Sequence, residues 1–195
     1  MAKLHFKYGT MGSGKTLQLL VIAHNYEHQN KKVLIIKPEV DTRFGYGVIK
    51  TRIGMERDAD VLLQEDPHIF NIPDNTSCIL VDEAQFLSTE WVNYLRTIST
   101  EYDIPVICFG LKTDFKSELF EASKRLFEVA DKIEEIKTVC SNCTRKATQN
   151  LKFVDGKPTI VGPSIELGAE EKYLPVCWEC YFNSIKDNPK DHELI

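Results

Sequence analysis

The sequence predicts an α/β fold: a parallel β-sheet covered by helices on both faces, followed by a small C-terminal segment organised by cysteines. Three observations predict it. Short, nearly all-apolar runs of strand length alternate with amphipathic stretches of helical length, as expected for strands buried on both faces. A glycine-rich turn sits at the first strand-to-helix junction. Two Cys-x-x-Cys pairs fall after Lys137, where the alternation stops.

Leu4-His5-Phe6-Lys7-Tyr8 reads as the first strand, ending at Gly9. From Lys15 the run Thr-Leu-Gln-Leu-Leu-Val-Ile-Ala-His-Asn-Tyr has the length and composition of a helix. Lys32 to Lys37 is a β-branched strand that Pro38 ends. Asp41 to Gly54 is rich in Arg, Gly and Tyr, has little periodicity, and reads as a long functional or mobile loop. Cys78-Ile79-Leu80-Val81 and Val106-Ile107-Cys108-Phe109 are further strands, the latter stopped by Gly110. Thr89 to Tyr102 has helical spacing, with Trp91, Tyr94, Leu95 and Ile98 on one face. Ser117 to Ala130 is another helix, striped by Leu119, Phe120, Leu126 and Phe127. A boundary near Lys137–Val139 divides a domain of residues 1–137 from a second of residues 138–195. In the second, Phe153 to Val161 forms a hairpin turning at Asp155-Gly156. The polar residues Lys186 to Ile195 are expected to fray.

The length of 195 residues suits one α/β domain with an appendage. A net charge of −5 argues against a general nucleic-acid-coating role, though not against a local basic pocket for phosphate. No apolar run has the length of a membrane span, and the N-terminus lacks the features of a signal peptide, so the expected compartment is the cytoplasm. Thiols stay reduced there, and the six cysteines are not read as a disulfide framework. Cys78 and Cys108 lie in apolar runs and read as inert core residues.

Gly9-Thr10-Met11-Gly12-Ser13-Gly14-Lys15-Thr16 matches the Walker A pattern in full. Glycines let the backbone curl until successive N–H groups face phosphate oxygens, and the following helix adds its positive end. Lys15 supplies a charge to the β- and γ-phosphates, and Thr16 a hydroxyl to Mg²⁺. The fold class is therefore a P-loop NTPase-type sheet flanked by helices. Ile79-Leu80-Val81-Asp82-Glu83-Ala84-Gln85-Phe86 reads as a second element of such a site. Asp82 at the strand end would hold Mg²⁺ through water. Glu83 points the other way if the strand pattern persists, and is placed to act as a base. These two motifs fit both an ATPase and a small-molecule kinase.

Cys140-Ser-Asn-Cys143 and Cys177-Trp-Glu-Cys180 are two knuckles that bring four thiolates onto one tetrahedral ion. Such a closed Cys₄ zinc site is structural and contributes directly to folding.

Taken together, the chain resembles the cellular, zinc-containing (type II) thymidine kinases over nearly its whole length. The residues that carry the resemblance are the Walker A loop with Met11, Asp41-Thr42-Arg43, Asp82-Glu83-Ala84-Gln85-Phe86, Gly110-Leu111-Lys112-Thr113-Asp114-Phe115, the four cysteines, and Gly168-Ala169-Glu170-Glu171-Lys172-Tyr173. The resemblance implies that ATP phosphorylates the 5′-hydroxyl of thymidine, with Glu83 as general base. It implies that Asp41-Thr42-Arg43 and Asp82-Glu83-Ala84-Gln85 line the nucleotide and metal site. Met11, Leu111, Phe115, Thr148 and Tyr173 would form the thymidine pocket. Residues around Ser164, Ile165, Glu166, Leu167 and Gly168, up to Tyr173, would form a lasso loop over the base. Phe86 or Phe115 could stack on thymine, and either could instead be core. Arg52 reads equally as a phosphate contact or a solvated residue. Thr10 stands where this family often has Pro, Gly12 where it often has a larger residue, and Gly168-Ala169 where two glycines are common; these changes alter loop stiffness more than chemistry. A homotetramer and feedback inhibition by dTTP are also implied. The alternative is a P-loop ATPase whose zinc tail contacts nucleic acid; the acidic charge and the lack of a basic stripe around the cysteines argue against it.

Overall fold

Apolar side chains alternate along the central strands, and the two halves of that alternation build two separate cores. The computed structural model describes residues 1–42, 45–64, 67, 71–164 and 172–186. Its elements are β1 (Leu4–Tyr8), α1 (Lys15–Glu27), β2 (Lys32–Pro38), β3 (Val48–Lys50), β4 (Glu56–Asp58), β5 (Val61–Leu63), β6 (Thr76–Val81), α2 (Thr89–Glu101), β7 (Val106–Gly110), α3 (Glu121–Val129), β8 (Lys132–Glu135), β9 (Gln149–Val154), β10 (Lys157–Thr159), β11 (Tyr173–Val176) and α4 (Trp178–Ile185). Six strands form one sheet in the order β5-β2-β6-β7-β1-β8, with every neighbouring pair parallel.

On one face, Leu34 and Ile36 of β2 and Ile79 and Val81 of β6 meet Trp91, Leu95 and Ile98 of α2 and Ala122 and Leu126 of α3. On the other, Val33, Ile35, Cys78 and Leu80 meet Leu19, Leu20 and Ala23 of α1. The helix α2 starts cleanly because the Ser88 hydroxyl accepts the Trp91 N–H at 3.2 Å. Leu95 is fully buried in the first core. Leu95→Ala is expected to cost about 2–5 kcal/mol of unfolding free energy, read from urea denaturation.

The predicted strands and first two helices are present, but the structure corrects three expectations. The segment Asp41 to Gly54 is not simply a loop, because it carries β3, which pairs antiparallel with β4 as a two-stranded hairpin. The third helix begins at Glu121 rather than Ser117. The Asp114 carboxylate accepts the N–H groups of Lys116 and Glu118 at 2.8 and 3.1 Å, which holds residues 114–118 in a turn. Leu119 is consequently half exposed instead of lying in the helix stripe. Two edge strands, β5 and β8, were not anticipated. β5 is an apolar run of only three residues, and β8 is a charged edge strand that pairs on one side only, so neither has the apolar run of strand length that marks the central strands.

The C-terminal strands form an antiparallel sheet in the order β10-β9-β11. Its hairpin turns at Asp155 and Gly156, with φ of 50° and 74°, as the sequence predicts. A third core gathers Leu151, Val176, Tyr181 and Ile185 around the cysteines. The Tyr181 hydroxyl donates to the Phe115 carbonyl at 2.7 Å, tying this unit to the loop after β7. No helix among the described residues is long and apolar enough to cross a membrane. The expected fraying of the last residues concerns positions that, from 187 on, lie outside the described residues.

Candidate active site

Register brings three strand ends to one edge of the sheet. Tyr8 of β1 stands opposite Gly110 of β7, and Cys108 of β7 opposite Val81 of β6. Gly9, Asp82 and Leu111 therefore leave the sheet side by side, at the carboxyl edge where open α/β sheets bind ligands. The Gly9 N–H donates to the Gly110 carbonyl at 3.3 Å.

The loop from Gly9 to Thr16 curls through two left-handed residues, Gly12 (φ 73°) and Gly14 (φ 86°), a conformation costly for any residue with a Cβ. Gly14 is the N-cap of α1, no side chain caps that helix end, and no acidic residue lies in its first turn. The positive end of the helix dipole thus faces the loop, where it favours an anion. Lys15 is buried, and its Nζ donates to the carbonyls of Thr10 at 2.8 Å and Gly9 at 3.2 Å. The Thr16 hydroxyl faces the Asp82 carboxylate at 3.3 and 3.5 Å. A hydroxyl and a carboxylate so placed are the hard oxygen donors that Mg²⁺ takes.

Glu83 reaches the cleft by a different route from the one the strand alternation suggests. The strand β6 ends at Val81, and Glu83 is left-handed (φ 51°, ψ 40°) at the start of a 3₁₀ turn, Ala84–Phe86. Backbone curvature, not the pleat, sets its direction. Its carboxylate accepts the Gln85 amide N–H at 2.5 Å, and the Gln85 amide oxygen accepts the Leu111 N–H at 3.0 Å. Gln85 thereby bridges the turn to the loop after β7. Ala84 and Gln85 are buried behind Glu83.

These elements enclose a cavity of about 290 Å³, lined by residues 11–17, Lys37, Asp41, residues 48–53, Asp82, Glu83 and Leu111. The sequence reading did not single out Lys37. Its Nζ pairs with the Asp41 carboxylate at 3.0 Å, both side chains being almost fully buried, and donates to the Val48 carbonyl at 3.0 Å. The signal was a lysine closing an otherwise apolar strand. This pair pins the β3–β4 hairpin to the cleft wall. At the hairpin tip, Arg52 covers Gly12: a Cβ added there would lie 2.8 Å from the Arg52 guanidinium. Glycine at position 12 and the hairpin's position are thus one feature. Thr42 is exposed and does not line the cavity. Arg43 lies outside the described residues.

The predicted nucleoside residues divide into groups. Met11 and Leu111 line the main cavity. Phe115 is buried, with its ring 6.1 Å from that of Tyr173. Phe86 is half-buried and packs edge-on against Phe120 at 6.1 Å. Thr148 lines a separate cavity of about 20 Å³ with Gly9, Thr10 and Asn150. Ser164 is exposed, and Ile165, Glu166, Leu167 and Gly168 lie outside the described residues.

The sulfur atoms of Cys140, Cys143, Cys177 and Cys180 all lie within 4.8 Å of one another, with Cys143 and Cys177 at 3.7 Å. Tetrahedral zinc with bonds of about 2.3 Å sets its sulfurs about 3.8 Å apart, so the four fit that ion. Burial pushes the Cys140 thiol up, but N–H donors of Cys177, Asn142 and Cys143 outweigh it and hold it to about 6. Cys180 is pushed up to about 12, first by its hydrogen bond with Cys177 and then by burial. The buried Cys78 thiol is likewise pushed up to about 12, but by burial in the core alone and away from any cysteine cluster, in keeping with an inert residue.

A phosphate-binding loop facing strand-end carboxylates on a parallel sheet defines a P-loop nucleotide-binding protein. The thymidine kinase family model matches residues 2–181. Thymidine kinase of Streptococcus gordonii is 51% identical over 186 residues, covering 93% of this chain and 97% of the relative. Thymidine kinases of Streptococcus agalactiae serotype Ia and Streptococcus pyogenes serotype M3 are 49% and 48% identical over 187 residues, each covering 94% of this chain and 98% of the relative. The chain belongs to the thymidine kinase family.

Proposed function

We propose that this chain is an ATP-dependent thymidine kinase, which transfers the γ-phosphoryl group of ATP to the 5′-hydroxyl of thymidine, and of deoxyuridine, for pyrimidine deoxynucleotide salvage and DNA synthesis. The observation that carries the reading is the single cleft in which the phosphate loop faces Asp82 and Glu83, in a chain of this family. The loop N–H groups and Lys15 hold the phosphates of ATP. Lys15 leaves the carbonyls of Gly9 and Thr10 for the phosphate oxygens as charge develops on the transferring group. Thr16 and Asp82 would hold Mg²⁺, which would supply neutralisation of phosphate charge. Glu83 accepts the 5′-hydroxyl proton as that oxygen attacks the γ-phosphorus, with Gln85 fixing the carboxylate. Asp41 and Arg52 complete the phosphate-side wall.

The Met11 side chain, Leu111, Phe115 and Tyr173 form the nucleoside side, while the Met11 backbone N–H belongs to the phosphate loop. Residues 1–137 act as the nucleotide-binding domain and residues 138–195 as the unit that the Cys₄ zinc anchors. The resemblance to type II enzymes supports a homotetramer, inhibition by dTTP and a cytoplasmic location; light scattering and a dTTP titration of turnover test the first two. Nothing in the cleft favours the nucleic-acid-directed ATPase over this reading.

Lys15→Ala is expected to lower kcat/KM by about 10²–10³-fold, with weaker ATP binding. Wild-type turnover and ATP affinity in that variant would remove the loop assignment. The function itself is tested with ATP and a panel of thymidine, deoxyuridine, deoxycytidine and deoxyadenosine. Monophosphate is expected from the first two. Product from purine nucleosides alone, or from none, would refute the reading.

A further inference from the structure

Strand β9 shows alternate side chains on its two faces, so Asn150 and Lys152 share one face. Both are nearly inaccessible, at 4% and 2%. The Asn150 side-chain oxygen accepts the Met11 N–H, inside the phosphate loop, at 2.8 Å. The Lys152 ammonium lies 4.5 Å from the centre of the Phe115 ring and 6.0 Å from that of Tyr173. It also rests against Gly162, where an added Cβ would lie 3.1 Å from Nζ. One strand face thus touches the phosphate loop with one residue and the aromatic pair with the next but one.

The strand is itself held in place. It pairs with β11 through Asn150↔Pro175 and Gln149↔Val176, and Cys177 of the sulfur cluster follows directly. On its other edge it pairs with β10 through Lys152↔Thr159. A strand fixed on both edges and beginning beside a cysteine cluster suited to a metal is a rigid support.

We infer that β9 is a bracket that sets the distance between the ATP side and the thymidine side of the cleft, with Asn150 and Lys152 as its positioning residues, an inference that rests on the proposed role of Phe115 and Tyr173. Asn150 acts through the Met11 amide. Its acceptor fixes the direction of that peptide and so the curl of the phosphate loop. Lys152 acts through the two rings. A buried ammonium is attracted to ring faces, and two rings drawn to one cation keep a fixed separation.

The bracket predicts a crossed pattern of effects in the full-length, zinc-loaded protein. Asn150→Ala should weaken binding of a non-hydrolysable ATP analogue by about 3- to 10-fold, the loss of one hydrogen bond, while KM for thymidine stays put. Lys152→Met should raise KM for thymidine by about 5- to 30-fold, with the analogue's Kd unchanged, and Lys152→Arg should restore KM. Zinc content is measured for every variant. Should either variant lose zinc, Asn150→Ser and Lys152→Gln replace them, and the same crossed pattern is required. Variants that keep zinc yet move both constants together, or move neither, overturn the bracket. Wild-type phosphorylation of thymidine is the control. Its absence would defeat the function reading, whereas the Asn150 arm, read by ATP-analogue binding alone, would still stand or fall separately.

Discussion

Glu83→Gln lowers kcat for thymidine phosphorylation by about 10²–10⁴-fold while ATP binding holds at its wild-type value. The substitution keeps the size and planarity of the side chain. An amide oxygen can still accept from the Gln85 N–H, as the Glu83 carboxylate does at 2.5 Å. The left-handed backbone at this position stays fixed by the 3₁₀ turn that follows it. What disappears is the ability to take a proton. The phosphate loop makes no use of that ability, since its contacts are N–H groups, the Lys15 ammonium and the Thr16 hydroxyl. The two readouts must therefore separate: calorimetry with ATP and Mg²⁺ sees no change, and steady-state turnover at saturating substrates collapses. Unchanged turnover would strip Glu83 of its role as base. An equal loss of ATP affinity would mean that the carboxylate acts through phosphate or metal rather than through the acceptor hydroxyl.

Cys177→Ser acts on the other end of the molecule and on a larger scale. A structural zinc contributes on the order of 10–16 kcal/mol to the folding of small domains that depend on it. The third core, by contrast, is small: Leu151, Val176, Tyr181 and Ile185 are its buried members besides the cysteines. Cys177 also caps α4, its sulfur accepting the Cys180 N–H at 3.5 Å, so the substitution weakens both metal and helix. The variant should purify without zinc. Amide exchange protection should be lost across β9 and α4 and kept across β1, β6 and β7. Turnover should fall with it, because Asn150 and the Tyr181 hydroxyl bond to Met11 and Phe115 beside the cleft. A zinc-free variant with native protection in β9 would show that the cysteines do not anchor this unit. Zinc uptake releases protons, so metal affinity in the wild type should fall as pH falls.

How far the sequence reaches depends on where a residue finds its partners. The strands β2, β6 and β7 are central and carry their signal as nearly unbroken apolar runs, while β1 alternates Leu4, Phe6 and Tyr8 with His5 and Lys7. The edge strands β5 and β8 pair on one side, and Lys132 to Glu135 carries three charged residues because that edge is wet. The phosphate loop and the Cys₄ cluster were legible because each function needs fixed residue types at fixed short spacings. Glu83 was legible as a residue but not as a direction: its left-handed backbone is set by the turn beneath it, not by strand alternation. The hairpin over Gly12 was missed because its anchor, the Lys37–Asp41 pair with the Val48 carbonyl, is tertiary and leaves no periodic trace. Asn150 and Lys152 were invisible for a similar reason. In sequence they are two polar residues in an ordinary strand, and only the packing of β9 against the loop and the rings gives them partners.

The central claim is that the γ-phosphoryl group goes to a nucleoside hydroxyl and not to water. Its most direct test follows the label from [γ-³²P]ATP with thymidine, with 5′-deoxythymidine, and with single-stranded DNA. The predicted result is label in dTMP, one for each ADP formed, with no transfer to the analogue that lacks the 5′-hydroxyl and no response to DNA. Label released as inorganic phosphate at a rate that ignores thymidine and rises with DNA would contradict it.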